Sequence, residues 1–197
     1  MQRLVIASNN SGKLREIRHL LEPLGIEVLP QSAFDFPEAE EPYCTFVENA
    51  LAKARHASKN TGLPALADDS GICVNILGGK PGILSARYAG EPKSDERNNQ
   101  KLVEALRNQS DRRAYYYCVM VLLRHPEDPQ PIIADGSWHG EILLNPRGSG
   151  GFGYDPYFFL ADLGKTAADL PMEQKNRISH RGKVLAQLVE RIRQEQP

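Results

Sequence analysis

The sequence predicts an α/β protein built on a long twisted mixed β-sheet with flanking helices, and three observations lead there. The chain opens with a strand, a polar turn and an amphipathic helix, the first half of an α/β unit. Its middle is rich in β-branched and aromatic runs, more than a purely parallel sheet alternating with helices would hold. Its 197 residues, 41% hydrophobic and 25% charged, suit one domain or one compact two-lobed unit with a real core.

Arg3 to Ala7 reads as the first strand and Ser8 to Gly12 as a polar turn. Leu14, Ile17, Leu21 and Leu24 then recur on one helical face, with Gly25 as the stop. Thr45 and Glu48 form a capping box for a second helix, striped with Val47, Ala50, Leu51, Ala54 and Ala57 and ended by Gly62. Pro64 to Ala67 and Ile72 to Ile76 read as short strands around a turn at Asp68-Asp69-Ser70-Gly71. A third helix starts at Ser94, with Asp95 and Glu96 in its first turn and Leu102, Val103 and Leu106 inward. Ala114 to Arg124 is the strongest strand. Ile132 to Trp138 and Glu141 to Leu144 are expected to pair as an antiparallel hairpin. A last helix runs from about Ser179 or Gly182 to Arg193, with Leu185, Leu188, Val189 and Ile192 inward.

Charge and cysteine usage narrow the function. With 24 Lys+Arg against 25 Asp+Glu, the chain is neither a strongly basic nucleic-acid binder nor a polybasic membrane binder. Cys44, Cys73 and Cys118 are odd in number and widely spaced, which fits neither a disulfide framework nor a structural zinc site. The apolar run Leu4 to Ala7 is too short for a signal-peptide core, and Ala114 to Leu123 is too short to span a membrane. A soluble protein of a reducing compartment, most simply the cytoplasm, is expected.

Four segments carry chemistry. In Ser8-Asn9-Asn10-Ser11-Gly12-Lys13 a helix N-terminus, a glycine and a lysine together suit an anion, although the same residues suit a solvated N-capped turn. It is not a Walker loop, because Ala7 and Leu14 stand where that motif needs Gly and Ser or Thr. Gly148-Ser149-Gly150-Gly151-Phe152-Gly153 matches the dinucleotide glycine pattern by chance, since Tyr154 to Phe159 is poor helix material. It is left as a clamp for a flat ring or a tight turn. Asp68-Asp69 places two carboxylates at a strand end, where one or two suffice for Mg²⁺, with Glu38, Glu40 or Glu41 as a further ligand; a surface Asx turn is the plainer alternative. Lys175 to Arg181 packs four positively chargeable side chains into seven residues, beside a helix start, and is otherwise a solvated basic face. Together these features suit a nucleotide polyphosphate with Mg²⁺.

Ser8 to Lys13, Ala67 to Gly71, Pro81-Gly82-Ile83-Leu84-Ser85-Ala86-Arg87-Tyr88, Phe152-Gly153-Tyr154-Asp155-Pro156 and Ser179-His180-Arg181 occur in the order and spacing of the Ham1/RdgB family. The chain resembles these inosine/xanthosine triphosphate pyrophosphatases over essentially its whole length, closest to the bacterial branch. One departure is Ser8-Asn9-Asn10, where many members read Thr-Gly-Asn. The resemblance implies a single two-lobed domain over 1–197, a groove between the lobes and a homodimer. It also implies Mg²⁺-dependent hydrolysis of ITP, dITP and XTP to the monophosphate and pyrophosphate.

Carried over by position, Ser8, Asn9, Asn10, Ser11, Gly12 and Lys13 would hold the triphosphate, with Lys53 nearby. Asp69 would be the catalytic carboxylate and, with Glu41, the metal ligand, while Ser70 touches substrate. Phe152, Gly153, Tyr154, Asp155, Lys175, His180 and Arg181 would form the base pocket. The partner is then a small nucleotide, with no nucleic acid and no membrane. Rival readings are a Maf-like pyrophosphatase for other modified or standard nucleotides, a non-catalytic nucleotide sensor, and a purely structural dimer module.

Overall fold

The structure, a computed structural model, describes residues 2–195, with the side chains of Ser11, Glu16 and Glu195 outside that description. Seven strands form one open mixed sheet in the order β2-β1-β3-β4-β5-β6-β7. β1 (Arg3–Ile6) lies parallel to β2 (Glu27–Pro30), with Leu4 opposite Val28, and parallel to β3 (Ala65–Val74), with Ile6 opposite Leu66. Parallel neighbours need crossovers, and α1 (Ser11–Leu21) and α2 (Phe46–Thr61) follow β1 and β2 in the chain. β4 (Arg113–Leu123) and β5 (Ile132–Ile142) follow α3 (Asp95–Leu106). β5 then pairs antiparallel with β6 (Phe158–Leu160), and β6 with β7 (Lys165–Thr166). Two helices, α4 (Met172–Ile178) and α5 (His180–Glu195), end the order. No helix among the described residues is long and apolar enough to cross a membrane. Cys44, Cys73 and Cys118 are free thiols.

The chain divides into two compact units. The first takes Met1–Asp69, Cys118–Gly136 and Lys183–Pro197, and the second Ser70–Tyr117 and Ser137–Gly182. Each buries its own core. In the first, Leu4 and Ile6 of β1, Ile17 and Leu21 of α1, Met120 and Leu122 of β4 and Leu185 and Leu188 of α5 pack together. In the second, Ile72, Leu102, Leu106, Trp138, Ile142, Tyr154 and Phe158 do so.

Local signals set the helices well. Asn10 caps α1, with its side chain accepting from the N–H groups of Gly12 and Lys13, and Gly25 follows a short 3-10 turn in the left-handed conformation. Thr45 caps α2 by accepting from the Glu48 N–H, and Gly62 ends it at φ +67°. The stripe of α2 is narrower than expected. Ala50, Ala54 and Ala57 are buried, whereas Val47 is exposed and Asn49 and Ser58 lie inside.

Two expectations are corrected and one element is added. Asp68 to Gly71 is not a turn but the middle of the unbroken strand β3. Its two carboxylates each meet a lysine, and Gly71 admits a neighbour: a Cβ there would stand 2.3 Å from the Gly82 carbonyl oxygen and 2.5 Å from the Ser85 hydroxyl. The expected hairpin over 132–144 is likewise one strand, β5, with Gly140 inside it. A Cβ on Gly140 would stand 2.5 Å from the Phe159 carbonyl oxygen, so the glycine serves close approach to β6. Finally, α4 is a short polar helix that apolar periodicity does not reveal.

Candidate active site

The first unit gathers the residues expected around phosphate and metal. The loop after β1 is held by its own side chains. The Ser8 hydroxyl accepts from the Asn10 N–H at 3.2 Å, and Asn10 Oδ1 accepts from Gly12 and Lys13 at 3.0 and 3.1 Å. Asn9, at the position where the resemblance leads one to expect glycine, donates to Glu38 Oε1 at 2.6 Å. Ser11 enters only as the first residue of α1, its side chain lying outside the described residues.

Lys13, in the first turn of α1, reaches across to Asp68 on β3, with Nζ 2.6 Å from Oδ2. On α2, Asn49 makes two hydrogen bonds to the backbone of Tyr43, at 3.1 and 3.2 Å, and so ties down the segment entering the helix. One turn further on, Lys53 Nζ lies 2.6 Å from Glu41 Oε1 and 3.5 Å from Asp69 Oδ1. Of the three competing glutamates, Glu41 is the one brought to Lys53, while Glu38 serves Asn9.

The electrostatics are lopsided in an informative way. Burial pushes the Asp69 carboxyl up, Lys53 pulls it down, and Glu41 and Asp68 push it up again, leaving it above its ordinary range. Burial pushes the Lys53 ammonium down, but Asp69, Asp68 and Glu41 together raise it above its ordinary value. The two shifts are consistent because one ammonium serves several carboxylates: Lys53 is over-compensated and Asp69 under-compensated. With Lys13 included, the carboxylates of Asp68, Glu41 and Asp69 meet the ammoniums of Lys13 and Lys53.

That set of carboxylate oxygens fits a hard divalent cation. Mg²⁺ takes one or two protein carboxylates and completes its shell with water and substrate phosphates, and Glu41 and Asp69 are the carboxylates that share Lys53. Among the described residues no three His, Cys, Asp or Glu side chains form a ready-made cage. A cavity of about 500 Å³ lined by Arg55, His56, Lys59 and His125 contains none of the expected site residues.

The second unit gathers the residues expected around the base. Asp155 is the hub, at 3% exposure. Its Oδ2 accepts from Lys175 Nζ at 2.5 Å and from the Phe152 N–H at 2.9 Å. Phe152 is 57% exposed, with the Lys175 ammonium 4.9 Å from its ring centre, so an aromatic face stands free beside a cation. Gly153 adopts φ +62° and is gripped by α3: Asp95 Oδ2 accepts its N–H at 2.8 Å, and Asn99 Nδ2 donates to its carbonyl at 2.9 Å. The Tyr154 hydroxyl donates to the Ser85 carbonyl at 2.8 Å and, pushed up by burial, remains a donor. No helix opens at the glycine loop, and the next regular element is β6, as its aromatics imply.

His180 and Arg181 are buried at the start of α5. Ser179 ends α4, and its hydroxyl accepts from the Gly182 N–H at 3.2 Å. Gly182 has no side chain because a Cβ there would fall 1.7 Å from the Asn176 carbonyl oxygen. The guanidinium of Arg181 points Nη2 at the Ser70 hydroxyl, 3.4 Å away. The His180 ring stacks on Tyr116 of β4, with centroids 4.8 Å apart and planes 9° apart. Tyr116, Asp95 and Asn99, which touch Asp155 or Gly153, are not singled out by the sequence. The capping residues at the start of α3 were the one available signal, and they point to a helix rather than to a loop 58 residues away.

Comparison with known proteins finds relatives over nearly the whole chain. The family model described as the Ham1 family matches residues 4–191. The chain is 71% identical to a dITP/XTP pyrophosphatase of Nitrosomonas europaea, over 98% of this chain and 95% of that one. It is 64% identical to a dITP/XTP pyrophosphatase of Aromatoleum aromaticum, over 96% of each. Among solved structures, a HAM1 protein from Coxiella burnetii superposes with a TM-score of 0.95 at 49% identity, covering 98% of this chain and 100% of that one. A nucleoside-triphosphatase / dITP/XTP pyrophosphatase from Mycobacterium abscessus gives 0.79 at 38% identity, covering 94% and 98%. With motifs, sheet order and near-complete alignment in agreement, this chain belongs to the Ham1 family.

Proposed function

We propose that the chain hydrolyses non-canonical purine nucleoside triphosphates, namely ITP, dITP and XTP, between the α- and β-phosphates, releasing the monophosphate and pyrophosphate. The observation that carries the proposal is the cluster of Lys13, Lys53, Glu41, Asp68 and Asp69, in a chain 71% identical to a protein named for dITP/XTP pyrophosphatase activity. Lys13 and Lys53 offer the positive charge a triphosphate needs. Asp69, whose proton affinity is raised by burial and by its carboxylate neighbours, orients the attacking water and takes its proton. Glu41 and Asp69 would hold Mg²⁺, which supplies neutralising charge at the phosphate oxygens and the pyrophosphate leaving group.

The second unit reads the base. Hypoxanthine and xanthine present a carbonyl at ring position six, which accepts a hydrogen bond from a donor-only group such as Arg181. Adenine presents an amine there and would leave a buried donor unpaired, the kind of mismatch that gives large selectivity. Phe152 offers a face for the ring to stack on. A single two-lobed domain, a homodimer and a cytoplasmic location belong to the same proposal. Light scattering on the purified protein tests the dimer.

The deciding experiment is hydrolysis of ITP, XTP, dITP, ATP, GTP and UTP with Mg²⁺, with products resolved by ion-exchange chromatography. Monophosphate and pyrophosphate from the six-keto purines lacking an amine, with the standard triphosphates nearly untouched, is the expected result. Diphosphate and phosphate, or equal use of all six, would sink it. Turnover of other nucleotides alone would point to the Maf-like reading, and binding without turnover to a sensor. Calorimetric titration with Mg²⁺ of wild type and Glu41→Gln tests the metal ligands independently of activity, the variant binding more weakly.

A further inference from the structure

A donor at ring position six does not explain how guanine is refused. Guanine shares that carbonyl with hypoxanthine and differs from it by an amine at position two. An amine is welcomed by any open carboxylate oxygen, through a charge-assisted hydrogen bond. The residues assigned to the base include one buried carboxylate, Asp155, so the donors already on its oxygens decide how well it accepts such an amine.

Oδ2 is occupied by Lys175 Nζ and by the Phe152 N–H. Oδ1 accepts from the hydroxyl of Tyr116, at 3.3 Å, which competes with any further donor on that side. Three rings aim that hydroxyl. Tyr116 stacks on His180, lies 4.7 Å from the Phe158 ring centre and 6.3 Å from that of Trp138, with the Trp138 ring inclined by 23°. We propose that Tyr116 is a positioning residue for base selectivity: its hydroxyl competes for the side of Asp155 that would otherwise accept a purine amine, while its ring holds the His180 imidazole. The proposal rests on the reading of Phe152 to Asp155 and His180 as the base pocket. Desolvation and the Asp155 carboxylate push the Tyr116 hydroxyl well above its ordinary value, so it remains a donor across the working pH range.

Tyr116→Phe tests this, because it removes the hydroxyl and keeps the ring. Measured with ITP and GTP, kcat/KM for GTP should rise about tenfold through a lower KM, the size expected when one charge-assisted hydrogen bond is gained. Over the same comparison kcat for ITP should stay within about threefold. A pocket that had merely loosened would instead raise KM for both substrates. Binding of IMP and GMP by calorimetry gives the same comparison without catalysis, with GMP affinity rising in the variant. An unchanged GTP/ITP ratio in folded Tyr116→Phe, with wild type still preferring ITP, would overturn the role of Tyr116 alone. A wild type that does not prefer ITP would overturn the underlying reading of the base pocket, and with it this proposal.

Discussion

Asp69→Asn should abolish turnover and raise stability, a combination that a structural aspartate would not show. The side chain is 13% exposed, 3.5 Å from Lys53, and shares that lysine with Glu41. Its carboxyl is raised above the ordinary value, by burial first and then by Glu41 and Asp68, against the pull of Lys53. The native chain therefore holds that proton more tightly than the unfolded chain. The contribution to stability is full below the unfolded value and is lost as pH rises through the native one, each unit of difference being about 1.4 kcal/mol. Asparagine keeps the shape and removes the charge, and Lys53 is not orphaned, since Glu41 stays at 2.6 Å. A gain of about 1 kcal/mol at neutral pH is expected, or about 2–4 °C in Tm for a domain of this size. The gain should vanish near about pH 4, where both carboxyl forms approach protonation. ITP turnover should fall by about 10²–10⁴, the range for loss of a general base. Thermal unfolding at several pH values, paired with a turnover assay, reads both. A variant less stable than wild type at neutral pH, or one with near-normal turnover, would refute the account of this cluster.

Lys13→Met removes the ammonium 2.6 Å from Asp68, whose side chain is 2% exposed, and should cost about 1–3 kcal/mol. Adding Asp68→Asn should restore most of that loss in scanning calorimetry, and a double variant no more stable than the single would count against the pair. Gly71→Ala drives a methyl toward the Gly82 carbonyl oxygen and the Ser85 hydroxyl, which itself accepts from the Ile72 N–H at 2.9 Å. A loss of about 2–3 kcal/mol in urea unfolding is expected, with reduced turnover because Asp69 lies two residues upstream; an unchanged midpoint would remove the packing argument. Arg181→Ala should raise KM for ITP and narrow the ITP/ATP preference, and an unchanged ratio in a substrate panel would place the discriminator elsewhere.

What the sequence made legible was what neighbouring residues decide. Thr45, Glu48 and Gly62 bracket α2 because capping is settled within a few positions. β3 was misread because the partners that make Asp68 and Asp69 tolerable in a strand are distant, Lys13 being 55 positions away. β5 was split for the same kind of reason: the close contact that requires Gly140 comes from Phe158 and Phe159. Within the candidate site, the glycine loop, the acid pair and the basic segment were all visible as motifs. The choice of Glu41 over Glu38 and Glu40 was not, since it follows from Asn49 holding Tyr43 and from Asn9 engaging Glu38. Tyr116 looked like one more strand aromatic, and only the ring stack shows what its hydroxyl faces.

The pairing pattern also bears on how such a site tolerates being empty. Each of the two lysines in the first unit's cluster rests on a carboxylate: Lys13 on Asp68, and Lys53 on Glu41 and Asp69. A cluster of bare ammoniums prepared for a triphosphate would repel itself and destabilise the fold, whereas a cluster already neutralised by carboxylates would repel the substrate. Lys53 and Asp69 show the compromise, with the lysine held charged by surplus acid and the aspartate held short of full compensation. A polyphosphate arriving with its own divalent counter-ion brings both halves of the exchange, anion for the lysines and cation for the carboxylates. On that view the carboxylates beside the lysines are what tie phosphate affinity to the metal. Replacing Glu41 by Gln should therefore weaken Mg²⁺ binding and, in the absence of metal, leave Lys53 freer to bind pyrophosphate, both read by calorimetric titration; pyrophosphate binding no tighter than in wild type would refute this account.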